Sequence, residues 1–436
     1  MILDPGLNEL GGHHPATLAS IKSAVVEREN FDIQVYCHQA CSPDFMSEQQ
    51  AKQVQCFPHF KTHYYSFFYG KPSYTELTEY TLVLAKEYQQ AILEVLETTE
   101  DSTAILFWCH TLNWEHATAL ALALTNVTRK ITPAQCERFM VNVGLMYHPM
   151  SRASTDELGV LQHTMRHELA FKRLAELERV RLFAADQEIQ QFYQKRFNYP
   201  VGIQPCLLLG ATAAYDDCLT ESCDIQDSEH SEQIILFIGD AKENKGFSEL
   251  PQLIKKIVPA SPHKKFVVQY SNTGVASELL AVDNDVKRLS KVYPNLELIN
   301  RFLTHQDLMA LFKSSQTVVL NYDETTYKYQ SSGVLWLAAF FPLKVISLSH
   351  TWMSREAVRL GVDYRECQTY EQCASVVNSN PKACLINQQE YEGLVRERNK
   401  VQTNYFNEMF MDVNEWLDIQ LCSGFVKLIN YNIERI

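Results

Sequence analysis

Two stretches of the chain pair a glycine turn with groups that suit a phosphate. In Phe237-Ile-Gly239-Asp-Ala-Lys242-Glu-Asn-Lys245-Gly246 an apolar run stops at a glycine, and two lysines follow where a helix is about to begin. Glycine lets the backbone approach a ligand closely, and lysine beside a helix N-terminus adds charge to free amides. The same residues also make an ordinary glycine turn with solvated lysines. In the segment Asn321 to Trp336, Ser331, Ser332 and Gly333 stand where an apolar helix starts, offering N–H groups and hydroxyls to an anion. Either serine would equally serve as an N-cap.

A second kind of chemistry lies nearer the start. Asp4-Pro-Gly6-Leu-Asn8-Glu-Leu10-Gly11-Gly12-His13-His14-Pro15 sets paired glycines beside paired imidazoles, groups that titrate near neutral pH and serve as acid or base. Incidental surface histidines or a weak metal site are the plainer readings. Trp108-Cys109-His110-Thr111 closes an apolar run, and Trp114-Glu115-His116 opens a helix, so His110 or Glu115 offers a base. His13, His14 and His110 are the catalytic candidates.

What must position these groups is an alternation of short β-rich runs with helical stretches, the pattern of parallel sheets covered on both faces. In the first half, strands are expected at Ile33 to Tyr36, Thr103 to Trp108, Arg138 to Val143 and Val180 to Ala184. Helices are expected from about Ala16 to Arg28, Tyr80 to Leu96, Trp114 to Leu124, Asp156 to Glu178, and Gln187 to Phe197, the last stopped by Asn198-Tyr-Pro200. From Tyr215 to Glu232 carboxylates crowd the chain and apolar periodicity disappears, which reads as an exposed linker. A second series then runs through Gln233 to Ile238, Lys265 to Tyr270, Leu296 to Ile299, Thr317 to Leu320 and Lys344 to Leu348, with helices such as Phe247 to Ile257 and His305 to Phe312 between them. The expected fold class is therefore α/β, two doubly wound Rossmann-like domains facing a cleft, with residues 1–214 as the first domain, 215–232 as the linker and 233–410 as the second. Limited proteolysis should cut first between Tyr215 and Glu232; a first cut inside Ile234 to Ile257 would misplace that boundary.

The bulk numbers restrict the function. Of 436 residues, 46% are hydrophobic and 21% charged, enough apolar material for sizeable cores. Lys plus Arg number 39 against 52 Asp plus Glu, and the net charge of -13 disfavours a general nucleic-acid binder. Met1 to Gly6 carries no secretory pattern. The apolar run Val334 to Phe341 falls far short of the roughly 20 residues that span a bilayer, so no transmembrane segment is expected. Twelve scattered cysteines then read as reduced thiols in the cytoplasm. Cys37-His38 with Cys41 and Cys56 matches no zinc spacing well.

Taken in order, these landmarks resemble the GT-B glycosyltransferases, above all the large retaining, nucleotide-sugar-dependent family. Gly11-Gly12 matches that family's Gly-Gly loop facing the donor phosphates, and Gly239 with Lys245-Gly246 matches the glycine and Lys-Gly that open its C-terminal domain. Ser332 to Ile346 resembles the helix and strand under the nucleotide, and Thr351 to Glu356 with Leu360-Gly361 resembles the next helix and turn. Pro205 resembles the proline closing the N-terminal half, and residues 411–436, Asp412 to Ile419 among them, resemble the terminal segment that crosses back. The E-x7-E motif is degenerate, since Tyr329 and Leu337 stand in place of its glutamates, and Asp240 stands in place of an arginine that Lys242 would replace.

The resemblance implies transfer of a sugar from a nucleotide-sugar donor to a saccharide, lipid or protein acceptor, with Gly11, Gly12, Gly239, Lys242, Lys245, Tyr329, Ser331, Ser332 and Gly333 around the donor. No cofactor or metal is expected, because cations and amides neutralise the departing diphosphate. The aromatic stretch Ser42 to Tyr74, with Phe57, Phe60, Tyr64, Tyr65, Phe67, Phe68 and Tyr69, could meet the acceptor, stack on sugars or cover a lipid, which leaves peripheral membrane contact open. Two alternatives stand: a sugar-nucleotide epimerase, and a degenerate GT-B domain that binds nucleotide sugar or protein without turnover.

Overall fold

The structure, a computed structural model, describes residues 1–8, 13–26, 31–65, 67, 72–151, 157–204, 233–271, 277–341, 343–348, 350–379, 393 and 404–411. Gly11, Gly12, Pro205, the acidic stretch 215–232 and residues 412–436 lie outside them. The chain divides into two compact units, residues 1–209 with 401–436, and residues 210–400.

The first unit is a seven-stranded sheet of β1 (Ile2–Asp4), β2 (Ile33–His38), β3 (Val54–Phe60), β4 (Ile105–Leu112), β5 (Phe139–Leu145), β6 (Val180–Ala184) and β7 (Val201–Ile203). The strands lie in the order β3-β2-β1-β4-β5-β6-β7, every pairing parallel. The central strands are buried on both faces, so β4 reads Ile-Leu-Phe-Trp-Cys-His-Thr-Leu as an almost unbroken apolar run. Between the strands come α1 (His13–Val26), α2 (Pro43–Ala51), α3 (Tyr74–Thr98), α4 (Trp114–Thr128), α5 (Pro133–Glu137), α6 (Glu157–Ala175) and α7 (Gln187–Phe197). The capping box of Ser73 and Glu76 starts α3, whose Tyr80, Leu84, Tyr88, Ile92 and Val95 are buried at helical spacing. Asn198, left-handed at φ 49°, ends α7.

The second unit is a six-stranded sheet of β8 (Gln233–Ile238), β9 (Lys264–Tyr270), β10 (Leu296–Asn300), β11 (Ser315–Leu320), β12 (Lys344–Ser347) and β13 (Asp363–Glu366), ordered β10-β9-β8-β11-β12-β13 and again all parallel. Its helices are α8 (Leu250–Ala260), α9 (Leu280–Val292), α10 (His305–Ser314), α11 (Gly333–Ala338), α12 (Trp352–Leu360) and α13 (Tyr370–Asn378). In each unit the strand order reverses once, between β1 and β4 and between β8 and β11. The loops leaving the carboxyl ends there part in opposite directions and open a crevice.

The doubly wound class holds for both units. The first strand of the chain, however, is Ile2–Asp4 and not Ile33 to Tyr36, and Ser42 to Tyr74 carries α2 and β3 with Phe60 and Tyr64 buried, while Phe57 is exposed. The helix at 404–410 lies at the tail of the second series in sequence, yet Phe406 and Met409 pack into the core of the first unit with Trp108 and Phe183.

Candidate active site

In the first unit the switch point carries a buried carboxylate between two imidazoles. Asp4 ends β1, His14 lies in the first turn of α1, and His110 is near the carboxyl end of β4; they are 4%, 5% and 3% exposed. His14 Nδ1 lies 2.8 Å from Asp4 Oδ1 and 3.0 Å from Oδ2, and His110 Nε2 lies 2.9 Å from Oδ2. The Gly6 amide donates to Oδ1 at 3.0 Å. Gly6 must be glycine, because a Cβ there would fall 2.3 Å from His14 Cε1. The outer ring nitrogens are also engaged, His14 Nε2 with the Tyr65 hydroxyl at 2.8 Å and His110 Nδ1 with Thr111 Oγ1 at 2.7 Å. Burial pushes the Asp4 carboxyl up, but the charge and hydrogen bonds of the two histidines outweigh it and hold the group well below the usual carboxylate range.

Thus His14 and His110, 96 positions apart in sequence, meet through Asp4, which the sequence reading did not count among its site residues. Its signal was a carboxylate directly after a strand, but a strand of three residues gives no period to recognise. His13 opens α1. Glu115 and His116 are buried on α4, where His116 Nε2 meets the Tyr80 hydroxyl at 2.8 Å and its ring stacks on Tyr64 at 3.9 Å. His148, just past β5 and 7% exposed, was also passed over; its Nδ1 accepts from the Met150 amide at 3.3 Å. Cys37 and Cys41 are buried thiols, Cys37 Sγ donating to the Phe57 carbonyl at 3.5 Å, and Cys56 is half-buried.

In the second unit the switch point opens into a crevice of about 990 Å³. Gly239 follows β8 at φ 151°, and the Lys245 side chain lies over it, its Cδ 3.2 Å from where a Cβ would stand. Lys242 and Lys245 both pair with Asp240 Oδ2, at 3.0 and 3.4 Å. Burial opposes ionisation of Asp240, and Lys245 and Lys242 prevail, lowering its carboxyl below the usual range. Gly246, at φ 73°, lets this turn meet the end of β11, since a Cβ would fall 1.9 Å from the Asn321 carbonyl oxygen.

Tyr322 links the two predicted phosphate segments. Burial pushes its hydroxyl up to about 12, the Ser332 hydroxyl pulls the other way, and Asp240 is close enough to add to the rise. Of the expected donor residues Lys242 lines the crevice with Tyr322, whereas Gly239, Lys245, Tyr329, Ser331, Ser332 and Gly333 lie outside its lining. Ser332 is the N-cap of α11, accepting from the Leu335 amide, and α11 is only six residues long, so its dipole is a small contribution beside the lysines. Ser331 is half-exposed. Tyr329 carries Lys328 Nζ 5.5 Å from its ring centroid. The crevice wall also carries Glu243, Glu249, Asp323, Glu324 and Glu371, a carboxylate density that the sequence motifs did not reveal.

Among the described residues, no helix is long and apolar enough to cross a membrane. No family model matches the chain, and no curated protein sequence matches it. Solved structures do. An α,α-trehalose 6-phosphate synthase from Burkholderia multivorans aligns with 98% of this chain and 98% of its own at 11% identity and TM-score 0.57. A UDP-forming α,α-trehalose-phosphate synthase from Burkholderia xenovorans, in complex with glucose-6-phosphate, aligns over 97% and 98% at 10% identity and TM-score 0.57. A trehalose-6-phosphate structure from E. coli bound with UDP-2-fluoro glucose aligns over 97% and 98% at 9% identity and TM-score 0.54. At such identities the likeness is one of fold, and the fold is GT-B, the class the sequence landmarks resemble.

Proposed function

We propose that the chain is a glycosyltransferase that breaks the bond between a sugar's anomeric carbon and the diphosphate of a nucleotide sugar and gives the sugar to an acceptor hydroxyl. The observation that carries this reading is the convergence at the second unit's switch point. Lys245 lies over Gly239, Lys242 and Lys245 both pair with Asp240, and Lys242 lines the crevice together with Tyr322, whose hydroxyl is influenced by both Asp240 and Ser332. Negative charge grows on the diphosphate as the sugar leaves, and two cations held there stabilise that growth more than they stabilise the intact donor. In this reading the leaving group needs no metal ion.

The similar structures include UDP-forming synthases, one holding glucose-6-phosphate, so a UDP-sugar and a sugar phosphate are the first donor and acceptor classes to try. Free thiols at Cys37, Cys41, Cys109, Cys367 and Cys373 fit a reducing compartment such as the cytoplasm.

One observation favours a second reading, a degenerate domain that binds without turnover. Asp240 already occupies both lysines, and carboxylates dominate the crevice wall. The deciding experiment incubates the full chain with uridine, guanosine and adenosine diphosphate sugars, with and without glucose 6-phosphate, and follows nucleoside diphosphate release. Transfer predicts slow release with the preferred donor alone and faster release with acceptor. Tight donor binding without release would support the degenerate domain, and conversion of the donor without an acceptor would support an epimerase.

Changing His13 and His14 together to Ala should lower turnover far more than nucleoside diphosphate affinity, because the diphosphate groups belong to the other unit. Unchanged turnover in the double variant would remove the residues beginning α1 from the reaction.

A further inference from the structure

We propose that Asp4, His14 and His110 form a binding site for one divalent transition-metal ion, with zinc the best match to its donors. This goes beyond the transfer reading, which assigns no metal, and it stands or falls independently of that reading.

The three residues come from three elements, the end of β1, the first turn of α1 and the carboxyl end of β4. Each presents one ligand-type atom, and these atoms lie within 4.8 Å of one another. Two imidazoles and a carboxylate are a recurrent zinc set that leaves one coordination position for water or a ligand hydroxyl. Two ligands about 2.0 Å from a tetrahedral zinc lie ~3.3 Å apart. The present nitrogen–oxygen separations are 2.8 to 3.0 Å, so each imidazole needs to part from the carboxylate by only a few tenths of an ångström, and all three ligand atoms already lie within 4.8 Å of one another.

The outer contacts match what a metal-bound histidine requires. A ligating imidazole usually donates its other N–H to an oxygen, which fixes ring and tautomer. Here Tyr65 supplies that oxygen to His14 and Thr111 supplies it to His110. Charge points the same way: the Asp4 carboxylate is bonded to two imidazoles and an amide, and a divalent ion would supply the positive charge that the rings carry only when protonated. A buried anion in such a place is stabilised by a cation, and a divalent ion leaves the group of three at a net charge of +1 with both histidines neutral. Such an ion would tie both ends of the segment between Asp4 and His14 to the sheet at its switch point.

The test uses the full chain, purified without a histidine tag or chelator. Elemental analysis should find close to one zinc per chain. After chelator dialysis, zinc titrated against a chromophoric competitor should bind at one equivalent and raise the unfolding midpoint, as ligation of the native state must. Cobalt in its place should give visible absorption bands characteristic of nitrogen and oxygen ligation. Asp4→Asn and His110→Gln should abolish stoichiometric binding, while His350→Gln, altering an exposed histidine elsewhere, should leave it intact. Because the two buried variants could simply misfold, Tyr65→Phe is the decisive companion: it removes one hydroxyl from a partly exposed ring and should weaken zinc by ~10–100-fold with folding retained. Failure of the dialysed wild type to take up zinc or cobalt stoichiometrically would overturn the proposal, as would stoichiometric uptake that persists in His110→Gln or a zinc affinity, measured against the competitor, that is unchanged in Tyr65→Phe. The first of those results would assign the cluster to proton-mediated hydrogen bonds alone.

Discussion

Arg181→Leu should lose about 3–5 kcal/mol of stability, and the helix at 404–410 should come off the first unit before the sheet itself unfolds. Arg181 is on β6 and 0% exposed. Its guanidinium donates to the carbonyls of Met409 and Met411, both at 2.7 Å, and its Nε donates to Asn142 Oδ1 at 3.0 Å. Asn142 in turn donates from Nδ2 to the Met409 carbonyl at 2.9 Å. The last carbonyls of a helix have no partners within it and carry the negative end of its dipole, so a fork of donors satisfies both the bonds and the field. Leucine would refill the space but take the donor from the Met411 carbonyl and from Asn142 Oδ1, leaving the Met409 carbonyl with Asn142 alone. At roughly 2–4 °C per kcal/mol for a unit of this size, the unfolding midpoint should fall by about 6–20 °C. Arg181→Lys should recover only part of that loss, because one ammonium cannot reach carbonyls that a planar fork bridges. The measurement is thermal unfolding combined with hydrogen exchange over 404–411. A change under about 1 kcal/mol, with exchange in the helix unaltered, would show that Phe406 and Met409 hold the helix without the arginine.

That clasp also shows what a linear reading misses. Ile105 to Leu112 and Gln233 to Ile238 announce parallel strands because burial on both faces makes them continuously apolar, and this was enough for two doubly wound units. β1 has three residues and β13 reads Asp-Tyr-Arg-Glu at the sheet edge, so neither carries an apolar period; they are strands because a neighbour offers them a ladder. β3 escaped for a related reason, since Pro58 interrupts an edge strand where a missing amide is tolerated. Of the sites, His110, Lys242 and Lys245 were visible as residue types at or just past strand ends, and His14 as one beside a glycine turn. Their partners were not: Asp4 joins two histidines that only the β1–β4 crossing brings together, and Asp240 stands inside the very turn whose lysines suggested phosphate. Spacing along the chain gives positions of side chains but not whom they meet.

Lys245→Ala and Asp240→Asn should move nucleoside diphosphate binding in opposite directions. Lys245, with 22% of its side chain exposed, lies over Gly239 and pairs with Asp240 at 3.4 Å, whereas Lys242 is 61% exposed and pairs at 3.0 Å. The more sheltered cation is the less screened, so it should contribute more to an anionic ligand. Truncating a partly buried charged partner costs ~2–5 kcal/mol, which puts the loss for Lys245→Ala at roughly thirtyfold or more. Lys242→Ala should cost only about threefold, in keeping with exposed pairs. Asp240 acts against the ligand, since its carboxylate holds both lysines and repels a diphosphate. Asparagine keeps the shape, removes the charge and should tighten binding by about tenfold, some 1.4 kcal/mol. Calorimetric titration of uridine, guanosine and adenosine diphosphates at low and high salt reads all three variants, with unfolding curves to exclude simple destabilisation. Added salt should narrow each difference if charge is the cause. If folded Lys245→Ala and Asp240→Asn proteins both bind the preferred nucleotide as wild type does, the diphosphate does not sit at this turn. The carboxylates on the crevice wall would then define a site for a different ligand, and the transfer reading would lose the observation that carries it.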